Sequence, residues 1–391
     1  MQEHRVVIIG GGFGGIRAAL DLSKNKQCKV TLVSVNENFE YYPGLHKLLG
    51  VHEYAVASVP LKTIFEGKAV ELLYDKVTSV DTATKTVVTE KQTLQADSII
   101  IAVGSQTEYF GIAGLKEMAF GFKSVAEATR LRAHIETMFQ KHAHTDKAES
   151  VIGLHVVVVG AGPNGVDLSG ELAVFAKYLA KKYAVTESLV TIDLIEAAPR
   201  ILAMLPEKVS KRVDKRLRDL GVNVLCNRDM KQHESWTVDL ADMTIGTKTV
   251  IWTAGISTNE LVKSVSGLTL GKRNRVAVDS YLQPTGIENV YCIGDAADTQ
   301  YAGLAQTALL DGEFVADVII RKLMNKPLRA YVPEPNAFNI GAGPCWSVMM
   351  VGSFVSYGLF PYLFRTLIDI KFFLSILPVS KVYRLYFPKS Q

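Results

Sequence analysis

Two glycine patterns carry the clearest chemistry in this chain. Gly10, Gly12 and Gly15 form one G-x-G-x-x-G turn, and Gly160, Gly162 and Gly165 form a second. In such a turn the first glycine permits the tight bend. The second lets the backbone approach a pyrophosphate, and the third lets the following helix pack close to the sheet. The free N–H groups at that helix's N-terminus then hold phosphate. Just past the second turn, Asp167 and Glu171 are four residues apart and share one helix face. A carboxylate such as Glu171 is suited to relaying a proton. Further on, Glu196 ends an apolar run, where a carboxylate accepts from ribose hydroxyls and repels a 2′-phosphate. That favours NADH over NADPH, although Arg200 nearby keeps NADPH open.

Regular elements must position these groups. Arg5–Ile9 and His155–Val159 are apolar runs that read as strands buried on both faces. Each leads through its glycines into a helix, the first spanning Ile16 to Ser23. Each unit also closes alike: Ser98–Val103 ends at Gly104, and Thr249–Ala254 ends at Gly255. Gly10 to Gly104 is 94 positions and Gly160 to Gly255 is 95. This matched spacing predicts an α/β fold with two tandem Rossmann-like dinucleotide-binding domains. The units differ at one place. The second strand of the first unit, Lys29–Val35, carries Ser34 where the acid is expected, with Asn36 and Glu37 close behind.

Other stretches fill the frame. Phe39–Leu45, with Pro43 and Gly44, is an aromatic turn that reads either as core or as the wall beside a flat ring. Val70–Val88 reads as a hairpin. Ser124 with Glu127 makes a capping box for a helix to Lys141, and His142–Ser150 reads as a polar linker with His142 and His144 solvated. Arg212–Leu220 is expected to be helical. Asn289–Asp295 is a strand ending in Gly294-Asp295, and Ala305–Leu323 follows as a long helix.

With 391 residues, 48% of them hydrophobic and 21% charged, the chain is long enough for two or three globular domains. A net charge of +4 gives no argument for nucleic acid. Cys28, Cys226, Cys292 and Cys345 show no paired spacing, and the eight histidines show no metal-ligand spacing, so no metal is expected. The first strand starts near Arg5, and the expectation is a protein that works where it is made.

The tail differs in composition. Pro335 to Phe364 holds no charged residue, but its glycines and prolines suit short strands and turns better than a membrane span. Pro361 suits the first position of a helix running to Leu377. Leu363, Leu367, Ile370, Leu374 and Leu377 make one apolar stripe on it, and the rest is also apolar (Phe364, Ile368, Phe372, Phe373, Ile376) apart from Arg365, Asp369 and Lys371. Lys381, Tyr383, Arg384, Tyr386, Phe387 and Lys389 have the composition of an interfacial anchor. Residues 361–391 are therefore expected to bind a membrane surface without spanning it. Burial in a homodimer interface, or between domains, is the alternative.

GGGFGG, VGAGPNGVDLSGEL, LIEAAPRIL, VIWTAGIS and NVYCIGDAAD together resemble the flavoproteins with two dinucleotide-binding domains. LIEAAPRIL, Trp-Thr-Ala-Gly and Ala305-Gln306 resemble type II NADH:quinone oxidoreductases in particular, over about residues 5 to 330. The resemblance implies FAD on the first unit and NADH on the second, with electrons passing to a quinone without proton pumping. It implies that Asp295 binds the ribityl–phosphate side of FAD, and that Ala305, Gln306 and Glu171 lie near flavin and quinone. Asp167 stands where the family more often has glutamate, and Leu310 stands where it has a second glutamine. The implied layout is an FAD-binding domain from 1–115 and 279–331, an NADH-binding domain from 116–278 and a membrane-surface segment from 332–391. The implied location is the cytoplasmic face of the cell membrane.

Three alternatives stay open. They are a ubiquinone reductase related to apoptosis-inducing factor, a sulfide:quinone oxidoreductase with Cys345 near the flavin, and a non-catalytic flavoprotein that docks to membranes according to redox state. A disulfide reductase fits poorly, because Cys28 stands alone.

Overall fold

The computed structural model describes residues 3–50, 57–143, 152–234, 236–334 and 337–386. The first parallel sheet has the strand order Val290–Cys292, Ser98–Ile101, His4–Ile9, Cys28–Ser34, Val70–Tyr74. The second has the order Phe120–Gly121, Thr249–Trp252, His155–Val159, Thr191–Ile195, Val222–Leu225. In each, the strand before the glycine turn is central. Val6 and Ile8 pack into one core while Val7 and Ile9 pack into another. Val156 and Val158 are divided from Val157 and Val159 in the same way. Burial on both faces explains why both strands read as unbroken apolar runs.

The first sheet is discontinuous in sequence. The chain leaves it after Ser98–Ile101, builds the second sheet, and returns to add Val290–Cys292 at its edge. The helix Ala305–Leu323 then packs on the helix Phe13–Leu22 of the first turn. Glycines permit that approach: a methyl group at Gly312 would sit 2.4 Å from the Gly14 carbonyl oxygen.

The expected elements differ from the observed ones in three places. Val70–Tyr74 belongs to the parallel sheet rather than to a hairpin, and the antiparallel pairing begins at Val77, between Val77–Asp81 and Thr86–Thr89. An alternating strand followed by a turn reads alike in either arrangement, and only the long-range pairing with Cys28–Ser34 distinguishes them. The cap of the helix Val125–Ala143 is offset. Ser124 Oγ accepts from Glu127 N, but Glu127 reaches back to Lys123 N rather than to Ser124 N. The helix expected at Arg212 begins earlier and spans Glu207–Leu220. Most of the linker expected at 142–150 lies outside the described residues, including His144.

The C-terminal part forms an antiparallel sheet of Ala337–Gly341, Ser347–Val351 and Phe354–Gly358, then the helices Leu359–Ile376 and Val379–Tyr386. Short strands and a helix near Pro361 agree with the sequence reading. Of the expected stripe, Leu363, Leu367 and Leu374 lie on the exposed face, Ile370 is half-buried and Leu377 is buried. Arg365 and Asp369 do not interrupt an outer face; both are buried, with Pro361, Phe373 and Ile376. Leu359, Phe360, Leu363, Phe364, Leu367, Ile368 and Leu374 are exposed instead. Among the described residues, no helix is long and apolar enough to cross a membrane.

Candidate functional site

The two glycine turns have matching geometry. Gly10 and Gly160 adopt φ of +116° and +101°, values L side chains rarely take. A methyl group at Gly15 would sit 1.9 Å from the Gly10 carbonyl oxygen, and one at Gly165 equally close to that of Gly160. At Gly12 and Gly162 an added methyl would meet nothing within 4 Å. The outer glycines therefore shape each turn, and the middle one leaves open backbone for a ligand.

A cavity of about 1000 Å³ opens at the first turn. Gly10, Gly12, Pro43, Gly104, Gly294, Asp295, Ala305 and Gln306 line it, as do Asn164 and Asp167 from the second unit. This volume is at the upper end of ordinary ligand pockets, about 300–1000 Å³. Of the aromatic turn, Phe39 and Tyr41 are core residues that pack with Phe13 and Phe372, while Tyr42 faces the cavity. The helix Ala305–Leu323 has no side-chain cap, and its first turn borders the cavity with Gln306 exposed. Its open N–H groups and dipole therefore favour negative charge there.

Two hydrogen-bonded groups hold the Gly294-Asp295 turn. Ser105 Oγ donates to Asp295 Oδ2 at 2.5 Å, and Lys123 Nζ donates to Ser105 Oγ at 2.5 Å. Beneath the turn, fully buried Asp311 accepts from Gly294 N at 2.9 Å and from the Tyr331 hydroxyl. Burial pushes the Asp311 carboxyl up to about 6, against the lowering effect of these two bonds.

The helix Pro163–Lys182 carries Asp167 and Glu171 to the junction with the C-terminal helix. Arg365 donates to both carboxylate oxygens of Asp167, at 2.8 and 3.0 Å, and to the Pro43 carbonyl at 3.0 Å. One turn on, Asp369 accepts from the Tyr41 hydroxyl at 2.6 Å and from Lys47 Nζ at 2.8 Å. Burial would raise Asp167, but the Arg365 charge and its hydrogen bonds outweigh it and hold the carboxyl below the ordinary range. Among the described residues, no cation pairs with Glu171 in this way. Burial, and then the Asp167 charge, push it up to about 7. Glu171, Lys47, Tyr362 and Thr366 border a second cavity of about 20 Å³. His46 borders both cavities, and burial drives its pKa down to about 3, so it is neutral near pH 7.

In the second unit, Glu196 turns toward the glycine loop. Its oxygens accept from Ala161 N at 2.7 Å and Ala198 N at 2.9 Å. Arg200 is spent on its own loop, donating to the carbonyls of Leu202, Ala203 and Leu205 and to Ser210 Oγ. It is therefore not poised for a 2′-phosphate. Ser34 donates to the Asn36 carbonyl and lies against Gly11, as Glu196 lies against Ala161. Gly255 packs on the Glu108 backbone and the Phe110 ring, not on the large cavity. Among the described residues no acid, histidine and cysteine cluster fits a metal. All four cysteines are free; Cys28 and Cys292 are buried and Cys345 is exposed.

Residues 4–312 match the family described as pyridine nucleotide-disulphide oxidoreductase. A type II NADH:quinone oxidoreductase of Staphylococcus aureus is 30% identical over 341 residues, covering 82% of this chain and 83% of the relative. The chain belongs to the type II NADH:quinone oxidoreductases. The structure of NDH2 from Plasmodium falciparum in complex with NADH superposes with a TM-score of 0.88 at 19% identity, over 98% of this chain and 97% of that one. The sulfide:quinone oxidoreductase of Aquifex aeolicus has a TM-score of 0.79 at 20% identity, over 99% and 96%. At those identities the two structures bear on the fold alone.

As a type II NADH:quinone oxidoreductase, the chain has site neighbours that its sequence did not single out. Ser105, Lys123, Lys47, Asp311 and Tyr331 come together from distant segments, and no local pattern marks them. Arg365 and Asp369 did leave a signal. Their spacing of four places both on one helix face with Pro361, Phe373 and Ile376. A charged pair on one face of an otherwise greasy helix points to an inward ion cluster.

Proposed function

We propose that this type II NADH:quinone oxidoreductase holds FAD in the large cavity, takes NADH at the second glycine turn and reduces a quinone without pumping protons. The observation that carries this reading is the cavity itself. It runs from the first glycine turn and Asp295 to Asn164 and Asp167 of the second unit, where one bound dinucleotide is within reach of both. The chain fits FAD: Gly12 leaves open backbone, and Asp295 is held toward the cavity by Ser105. When bound, the flavin accepts hydride from NADH and returns two electrons to the quinone.

The residues then divide the remaining work. Gly10, Gly12 and Gly15 shape the pyrophosphate turn, and Pro43, Gly104, Gly294 and Ala305 form the walls. Asp295 accepts from the cofactor's sugar-alcohol hydroxyls. Gly160, Gly162 and Gly165 do for NADH what the first turn does for FAD, with Asp167 behind them and Gly255 closing that side. Glu196 accepts from the adenosine ribose. Gln306, exposed at the cavity's edge, donates to a quinone carbonyl. Glu171, pushed up to about 7 by burial and the Asp167 charge, can hold a proton near neutral pH and deliver it to the reduced quinone. The FAD domain comprises 1–115 and 279–331, the NADH domain 116–278.

The segment 332–391 places the enzyme on a membrane surface, the cytoplasmic face of the cell membrane. The support is the outward apolar face of Leu359–Ile376, whose charges are turned inward. Exposed Lys371, Tyr383 and Arg384 flank it. Lys381 is not part of that anchor, because it pairs with Glu66 and the Thr63 carbonyl. A bilayer quinone then reaches Gln306 without crossing water.

An anaerobic titration tests the reading. Purified protein is expected to show a flavin spectrum that bleaches on adding NADH and returns on adding a quinone. A chain that releases no flavin on acid denaturation, or one whose flavin ignores NADH, overturns it.

A further inference from the structure

Lys123 is a buried-side cation that the activity above leaves unused. It follows the edge strand Phe120–Gly121, whose pairing with Ile251 and Trp252 fixes it to the second sheet. Glu127 accepts from Lys123 N at 2.6 Å and, two residues on, Glu40 accepts from Val125 N at 3.2 Å, which fixes the segment. From that base the side chain crosses to the first unit and lines the large cavity. Its ammonium donates to Ser105 Oγ, which donates to Asp295. Lys123 thus reaches Asp295 through a hydroxyl and not through a direct ion pair.

An ammonium has three N–H donors. Ser105 takes one, and the ammonium borders the cavity. Burial disfavours the charge and lowers the Lys123 pKa, while Asp295 and Glu127 oppose that shift. A half-buried ammonium facing a cavity is costly unless an acceptor meets it there. Ser105 stands between the ammonium and Asp295, so an acceptor on a bound ligand would meet the ammonium where it borders the cavity.

We infer that Lys123, lent by the second unit, is a cofactor-site residue that sets the reduction potential of the flavin bound in the first. The inference rests on the proposal that this cavity holds FAD. With FAD held there, hydride transfer from NADH would add two electrons and one proton to the ring, releasing NAD⁺ and leaving the ring with a negative charge. A fixed cation in a poorly solvated wall stabilises that added charge more than it stabilises the neutral oxidised ring. Lys123 acts alongside the open N-terminus of Ala305–Leu323, which contributes a partial positive charge to the same cavity.

The test uses the full-length, FAD-loaded protein and measures the two-electron midpoint potential by anaerobic equilibration with reference dyes. FAD content is measured on the same samples by acid release. Lys123→Met keeps the length and removes the charge; Lys123→Arg keeps the charge. Lys123→Met is expected to retain FAD and to lower the reduced-to-oxidised ratio at fixed poise about tenfold, which is about 30 mV for a two-electron couple. Lys123→Arg is expected to restore most of that shift. An unchanged potential in FAD-loaded Lys123→Met overturns the inference. So does a variant that loses FAD while the remaining bound flavin keeps its potential, since Lys123 would then clamp phosphate only. A wild-type protein without flavin defeats the FAD reading instead, and the two failures are distinct.

Discussion

Arg365 and Asp167, 198 positions apart, form a buried two-pronged ion pair with N–O distances of 2.8 and 3.0 Å. The pair joins the C-terminal helix to the helix of the second glycine turn. Through the Pro43 carbonyl, Arg365 also grips the wall of the large cavity. The C-terminal segment is therefore built into the wall of the large cavity.

Removing one member of such a pair leaves the other charge buried and uncompensated, at a cost of about 3–5 kcal/mol. Arg365→Met is expected to lower unfolding stability by about that amount. Arg365→Met combined with Asp167→Leu is expected to recover much of the loss. Denaturant unfolding of the two single variants and the double variant measures it, and equal losses in the single and double variants would count against the coupling.

Glu171 ties stability to pH, and with it the proton delivery proposed for it. Its folded pKa is raised to about 7, against about 4.3 unfolded. Between those values the folded chain holds a proton that the unfolded chain has released. This contribution to stability is therefore complete below about pH 4.3 and lost as pH rises toward 7. Glu171→Gln is expected to flatten that fall, on the order of 3–4 kcal/mol. In stopped flow, wild-type reoxidation by quinone is expected to slow above about pH 7, and the variant to be slow with a flat profile.

Gln306→Ala is expected to separate the two half-reactions. Flavin bleaching by NADH should stay within about twofold of wild type, while reoxidation by quinone falls by roughly tenfold, the size of one lost hydrogen bond. Equal slowing of both steps would remove Gln306 from the quinone site.

Glu196→Gln is expected to narrow the preference for NADH over NADPH by about tenfold in kcat/KM, because the repelling charge is gone while one oxygen still accepts from Ala161 N. Arg200, committed to its own loop, gives no compensating phosphate contact. A wild-type enzyme that uses both cofactors equally would refute the assignment.

Membrane binding is best tested by substitution. Deleting residues 361–391 would strip Asp167 of Arg365 and remove Phe372 and Phe373 from the aromatic core around Phe13 and Tyr41. Leu363→Asp with Leu367→Asp changes only exposed positions. That variant is expected to lose liposome sedimentation and turnover with a long-tailed quinone. Bleaching by NADH and turnover with a water-soluble quinone should persist. If the wild-type chain ignores liposomes and sediments as a dimer that the variant breaks, the exposed face is a subunit interface.

What the sequence determined by itself was local and repeated. Strand, glycine turn and helix are encoded within about fifteen residues, and the backbone geometry of Gly10, Gly12 and Gly15 needs no distant partner to be legible. The second copy at Gly160 and the matched spacing to Gly104 and Gly255 made the two-unit architecture readable. The broken apolar run before Pro361 likewise announced strands and a helix. Tertiary structure alone decided which charges meet. Lys123 finds Ser105 and Asp295 because the second sheet's edge strand lies beside the first unit's cavity. Arg365 faces inward because Asp167, Lys47 and Tyr41 offer partners for its helix's charged face. Val70–Tyr74 joins a parallel sheet because its partner lies forty residues back. Turn geometry is a property of consecutive residues, whereas ion pairing, burial and the pKa of Glu171 depend on segments that the chain brings together only when it folds.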